Sequence, residues 1–250
     1  MQWVKAFYTK QGEWANIYHG EVSKAHRKNV AIVQRLGGGE FGRLLELGAG
    51  GGQNAVAVAE VGYSVVAVEL VSSAVNHARQ LVAQSGLTNI EIVEGDFYAI
   101  DFSDPFDVVC YWDGFGIGED ADQKRLLKRI AGWLRPNGVA IIEVYAPRYW
   151  LAAAGRQVNF GTVSRQYDFD AENCRMLDRW WVVGQADQVV TQSLRCYELD
   201  AFKTLLQGTG LRLVSAESRG AYFPEQKQFV ADIPIAQAMS YLAILKRECK

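Results

Sequence analysis

RLLELGAGGGQNAVAVAEVGYSVVAVEL, residues 43–70, contains two short apolar runs separated by a glycine-rich turn and a small-residue helix pattern. In "RLLELG" and "SVVAVEL" apolar residues occupy successive positions, as in strands of a parallel sheet buried on both faces. "QNAVAVAEVG" between them ends near a glycine, as helices often do. The stretch therefore predicts a β-α-β unit. Its bare backbone from Gly48 to Gly52 lets a ligand come against the chain at the carboxyl end of the first strand. The pattern is Glu46-x-Gly48-x-Gly50-x-Gly52, and Gln53 stands where the dinucleotide fingerprint G-x-G-x-x-G places its third glycine. A carboxylate at Glu46 would repel a pyrophosphate and attract a cationic ligand, so the pattern argues against NAD.

The same rhythm continues outward from this stretch. "IEIVEGD", "FDVVCYW" and "GVAIIEVY" are further strand candidates, alternating with "SSAVNHARQLVAQSG" and "DADQKRLLKRIAGWLRPNG", the latter running from an acidic start to a Pro-Asn-Gly stop. This order predicts an α/β, doubly wound, mostly parallel sheet. Residues 148–197 break it: "SRQYDFDA", "CRMLDRWWVV" and "QVVTQSLRCY" resemble an antiparallel β insertion after the fifth strand. "LDAFKTLLQGTG", "LRLVSAES" and "MSYLAILKRE" then supply one helix and two strands, bringing the expected sheet to seven strands. Ahead of the sheet, "GEVSKAHRKNVAIVQRL" has helical spacing. The expected organisation is one domain over 1–250, with a helical cap at 1–36, a core at 40–147, the insertion at 148–197 and a C-terminal helix and strands at 198–250.

Bulk composition narrows the function classes. The 250 residues are 49% hydrophobic and 22% charged with a formal net charge of -2, so there is no basic excess to hold a nucleic-acid backbone. No apolar stretch reaches membrane-spanning length and "MQWVKAFYTKQGEW" lacks the order of a secretory signal, so a cytoplasmic setting without membrane attachment is expected. Cys110, Cys174, Cys196 and Cys249 form neither a C-x-x-C pair nor a dense framework, which suits a reducing compartment and gives no metal signal.

The glycine turn and the motifs downstream of it resemble the class I S-adenosylmethionine-dependent methyltransferases, whose first motif is an acidic residue followed by G-x-G-x-G. Glu69 ends the second strand 23 residues after Glu46, "EGDF" follows the third strand, and Leu134-x-Pro136-x-Gly138 matches the family's turn before its fifth strand. The layout is closest to small-molecule N-methyltransferases with a Rossmann-like methyltransferase fold. The resemblance implies S-adenosyl-L-methionine as cofactor and S-adenosyl-L-homocysteine as product. It assigns the cofactor to Glu46, Gly48, Gly50, Gly52 and Leu70, to Glu69 at both ribose hydroxyls, and to Asp96 and Phe97 at the adenine. Tyr18 in "WANIYHG" resembles an amino-terminal tyrosine that closes over the cofactor.

A sulfonium methyl is already activated, so the enzyme has chiefly to align a lone pair behind the carbon, about 3 to 3.5 Å away. An alcohol or phenol acceptor benefits from a base, whereas an amine need only arrive neutral. Tyr111, Asp113 and His19 are the candidate bases or orienting groups; His77, amid an amphipathic helix, is read as a surface residue. Trp112, Tyr145, Arg165 and Tyr167 are candidates for the acceptor pocket. The expected partner is a small-molecule acceptor, with no nucleic acid; a methyltransferase of protein or RNA and a non-catalytic cofactor-binding scaffold are the alternatives. The insertion is expected to be a lid that leaves the cofactor site largely independent, the alternative being a meander that makes a homodimer.

Overall fold

The computed structural model describes residues 2–37, 42–185 and 187–248; Cys249 lies outside them. Two helices come first, α1 (Gln2–Ala15) and α2 (Lys24–Leu36). The core follows as β1 (Arg43–Leu47), α3 (Gln53–Glu60), β2 (Ser64–Glu69), α4 (Ser72–Ser85), β3 (Ile90–Glu94), β4 (Phe106–Tyr111), α5 (Asp120–Trp133) and β5 (Leu134–Tyr145). The inserted part comprises α6 (Pro147–Ala153), β6 (Gln157–Phe160), β7 (Val163–Asp170), β8 (Arg175–Val182) and β9 (Val190–Arg195). The chain ends with α7 (Leu199–Leu206), β10 (Leu211–Ser218), the hairpin β11 (Ala221–Phe223) and β12 (Gln228–Val230), and β13 (Ser240–Arg247).

Seven strands form one sheet in the order β10-β13-β5-β4-β1-β2-β3, parallel from β5 to β3 and antiparallel where β13 joins β5 and β10. The continuous apolar runs follow from burial on both faces. Leu44, Val65 and Val108 meet Val30 and Val33 of α2 and the alanines of α3 on one face, while Leu45, Val66 and Val109 meet Leu126 and Ile130 of α5 and Phe202 of α7 on the other. Each such side chain taken fully from water contributes about 1.5–3 kcal/mol. From β1 the chain winds one way to β2 and β3, and then returns to place β4 on the other side of β1. That reversal opens a crevice at the carboxyl ends of β1 and β4, where open α/β sheets bind ligands.

The structure differs from the sequence expectations at three places. β5 begins at Leu134 rather than near Gly138: Leu134 pairs with Phe106, and an irregularity before Val108 absorbs Pro136 to Gly138 while Arg135 binds the Asp107 carboxylate at 2.6 Å. The insertion forms a four-stranded antiparallel sheet, β6-β7-β8-β9, preceded by α6. A small β11-β12 hairpin also lies between the last two strands of the main sheet.

The inserted sheet is fastened to the core. Arg175 on β8 donates to Gly118 O at 2.8 Å and Gly116 O at 3.2 Å, and the Arg195 amide donates to Gly116 O at 2.9 Å. Gly116 has φ +113 and an added Cβ would lie 2.4 Å from Arg195 O, so the loop after β4 and the inserted sheet meet backbone to backbone. α1 in turn rests on the insertion, with Phe7 edge-on to Trp180 at 6.4 Å and Gln192 donating to the Tyr8 hydroxyl at 2.8 Å.

Candidate active site

A cavity of about 400 Å³ lies at the crevice between β1 and β4, within the range of small-molecule sites. It is lined by the glycine turn after β1, by Glu69, Leu70, Asp96 and Phe97, and by Asp113, Tyr145, Arg165 and Trp180; Trp112 also reaches it while packing against the face that α2 and α3 cover. α1 and the segment after it cover it with Tyr8, Gln11 and Tyr18.

The turn needs its glycines for two different reasons. Gly48 and Gly50 have φ +63 and +54, a region that L side chains avoid, and Tyr18 packs so closely that an added Cβ on Gly50 would lie 3.0 Å from its ring. Gly51 is closer still to the cap, its Cβ position falling 2.0 Å from Tyr18 O. Gly52, expected at the cofactor, instead caps α3, and its added Cβ would meet Ala78 of α4 at 2.7 Å, so its role is helix packing outside the cavity lining.

Two buried carboxylates face the turn. Glu69 Oε2 accepts the Gly50 amide and Oε1 accepts the Leu70 and Val71 amides, each at 2.8 Å. Burial pushes its pKa above the ordinary carboxylate value and these amides hold it down. A carboxylate has about four lone-pair directions, so three amides leave room for one further donor rather than the pair of hydroxyls implied by the family resemblance. Glu46 is 2% exposed, and burial raises its pKa to about 8 against the hydrogen bond to Asn54, with Glu69 nearby adding to the rise. Asp96 at the edge accepts the Tyr98 amide at 2.8 Å through Oδ1, which makes it a turn residue as well as a cavity wall.

Asp113 is open to the cavity although enclosed by protein. It has φ +44, and its Oδ1 accepts the Tyr145 hydroxyl. Burial raises its pKa to about 6, with Glu143 adding to the rise and Tyr145 and Arg165 opposing it. Arg165 is held by Asp178, Nε to Oδ1 at 3.1 Å, and lies over the rings of Tyr167 and Trp180.

Four further residues are placed differently from expectation. Tyr111 presents its ring to the cavity, but its hydroxyl donates to Gly114 O at 2.8 Å and burial drives its pKa well above ordinary, so it is not arranged as a base. His19 lies outside the cavity lining and stacks edge-on with His77 at 5.3 Å. His77 itself lies with Nδ1 3.1 Å from Gly51 O, tucked behind the turn rather than on an open surface. Tyr167 packs beneath the lining against Trp150 at 5.1 Å. Residues missed by the sequence reading are Tyr8, Gln11 and Gln192. Val4, Tyr8 and Gln11 recur at helical spacing in "VKAFYTKQ", a stripe that could have been read as a cavity-facing side.

Residues 44–138 match the family model described as a methyltransferase domain. The cypemycin N-terminal methyltransferase of Streptomyces sp is 34% identical over 115 residues, 45% of each chain. The chain thus spans less than half the length of the curated relatives it matches. Among solved structures, the CcbJ methyltransferase from Streptomyces caelestis has a TM-score of 0.71 at 18% identity, covering 93% of this chain and 92% of its own. An S-adenosylmethionine-dependent methyltransferase from Clostridium acetobutylicum ATCC 824 has a TM-score of 0.71 at 14% identity, covering 98% of each. These two likenesses concern the fold. Residues 44–138 thus carry the methyltransferase domain of the class I S-adenosylmethionine-dependent family.

S-adenosylmethionine is the cofactor of that family. The residues fit it: a turn kept clear of Cβ atoms, a remaining acceptor direction on Glu69, and acidic groups suited to its sulfonium and ammonium charges. Among the described residues no cluster of three or more His, Cys, Asp or Glu side chains is placed to hold a metal ion, and no helix is long and apolar enough to cross a membrane.

Proposed function

We propose that this protein transfers the methyl group of S-adenosylmethionine to a nitrogen or oxygen of a small-molecule acceptor by in-line displacement. One observation carries the reading: the same cavity is lined by the glycine turn, Glu69 and Asp96 and by Asp113, Tyr145 and Trp180. The bound cofactor supplies an activated methyl. The chain's own work is to orient and enclose. Glu69 takes a ribose hydroxyl, Asp96 the adenine amine through its remaining acceptor directions, and Leu70 and Phe97 flank the ring. Glu46 offers negative charge beneath the methionine part. Tyr18 and the insertion exclude water, and Asp113 holds or takes a proton at the acceptor. A peptide amino terminus is a second reading, favoured by similarity to a relative named as an N-terminal methyltransferase.

The test combines calorimetry with radiolabelled methyl transfer to amines, phenols, peptides and RNA. Glu69→Ala should weaken cofactor binding at least about tenfold, because it removes a charge-assisted hydrogen bond. Transfer to small acceptors should vary little with ionic strength. Unchanged affinity in Glu69→Ala would refute the ribose assignment. Transfer to RNA alone, falling steeply with salt through counterion release, would refute the small acceptor.

A further inference from the structure

We propose that Asp113 and the aromatic rings around it form a seat for a protonated amine, so that the acceptor is an amine rather than an alcohol, phenol or acid. The seat is read from geometry; its use in methyl transfer rests on the function proposed above.

Asp113 is held in a left-handed backbone conformation that is costly for a residue with a side chain, and such conformations persist where surrounding contacts over-determine them, often at functional sites. Here the Tyr145 hydroxyl bonds to Oδ1, and the next residue, Gly114, receives the Tyr111 hydroxyl. Among the described residues Tyr145 is the one protein donor to this carboxylate, so Oδ2 is open toward the cavity. The nearby cation cannot fill that role, because Arg165 is held by the buried Asp178 and stacked between Tyr167 and Trp180. Arg165 is therefore also a poor receptor for an acidic acceptor.

The cavity is also lined by Tyr8, Tyr18 and Tyr145, whose rings attract a cation by their π-faces, whereas the Trp180 ring is already taken by Arg165. The Tyr8 hydroxyl oxygen already accepts from Gln192, at 2.8 Å. Of the other ionisable groups along the cavity, Glu46, Glu69 and Asp96 are carboxylic and His26 is an imidazole whose pKa burial lowers, so the space concentrates cations when the carboxylates are ionised. A neutral hydroxyl would gain one hydrogen bond here, while an ammonium gains that bond, the charge and the rings. Before transfer the seated ammonium gives one proton to Asp113 Oδ2, which frees its lone pair; that pair then forms the N–C bond while the S–C bond breaks with its pair left on sulfur, and Asp113 passes the proton on to water.

The groups facing Asp113 are Tyr111 from β4, Glu143 and Tyr145 from β5, Arg165 from β7, Asp178 from β8, Tyr8 from α1 and Tyr18 from the segment after it. Burial among them places its pKa at about 6, so amine binding should strengthen as pH rises through that value.

The experiment measures binding of benzylamine, benzyl alcohol and benzoate to the full chain, with and without S-adenosylhomocysteine, by saturation-transfer NMR. Asp113→Asn is the chosen variant because asparagine tolerates the left-handed backbone and its amide oxygen still accepts from Tyr145. Benzylamine should bind at least about tenfold more tightly than benzyl alcohol, with benzoate weakest. In Asp113→Asn that preference should disappear while S-adenosylhomocysteine affinity, read by calorimetry, stays at the wild-type value and the melting temperature does not fall. Equal binding of amine and alcohol, a preference retained in Asp113→Asn, or no saturable amine binding would each overturn the proposal. Failure of the wild-type chain to bind S-adenosylhomocysteine would instead overturn the methyltransferase reading and leave the probe result to judge the seat.

Discussion

Glu46 ends its side chain in a place where a carboxylate is poorly hydrated, and holds its proton up to about pH 8. Asp113 does the same to about pH 6. Both keep protons in the folded chain that the unfolded chain has already lost near its ordinary carboxylate pKa. The folded state therefore binds more protons across this interval, and the stability of the ligand-free protein falls as pH rises from about 4.5 to 8. Thermal melts over that range should show the decline, and Glu46→Gln should flatten it. A cationic ligand reverses the preference. Calorimetry at pH 7 in buffers of different ionisation enthalpy should find release approaching one proton when S-adenosylmethionine binds, and close to none in Glu46→Gln; equal release by both proteins would assign the proton elsewhere. Glu46 and Glu69 were legible because strand, turn and helix periodicity fix what lies at a strand's end. The proton on Glu46 was not, since it depends on how far surrounding elements exclude water. Tyr8 and Gln192 were hidden for a related reason: 184 positions separate them along the chain.

Among the elements, α1 depends on the insertion. Trp180 is 1% exposed, donates to Asp178 Oδ2 at 2.8 Å, and supports Phe7 on one side and Phe160 on another. Removing that ring should cost about 3–5 kcal/mol through the cavity it leaves. Trp180→Ala should therefore lower the melting temperature and expose α1 to limited proteolysis before the main sheet is cut; simultaneous digestion of both would show that α1 is held by something else. The same support corrects the expectation that the cofactor site stands independent of the insertion. α1 carries Gln11, which accepts the Tyr18 hydroxyl at 2.5 Å above the glycine turn, so losing 150–195 would disturb the lining over the turn as well. The main strands were readable because two-sided burial writes unbroken apolar runs. β6, entirely exposed, and the three-residue strands β11 and β12 carry no such signature, since they are ordered mainly by backbone pairing.

Taken as one molecule, the fold brings distant parts of the chain to the reversal between β1 and β4. The strand order was legible in outline from alternation and right-handed connection, but the height of the walls above that edge was not, because cap and insertion are shaped by each other. One contact ties this arrangement to time rather than affinity. Gln53, which occupies the place of a third glycine, donates to Tyr18 O at 3.2 Å and Gly20 O at 3.0 Å, clasping the segment between α1 and α2 down onto the turn. Product held beneath that segment should leave when both bonds open, so its residence time is expected to depend on Gln53, which itself lines the cavity. Gln53→Ala should speed release of S-adenosylhomocysteine about tenfold in stopped-flow fluorescence, as the loss of two weak hydrogen bonds allows. Unchanged release would place the slow step elsewhere; faster release with faster turnover would make this protein an enzyme whose clock runs in its amino-terminal segment.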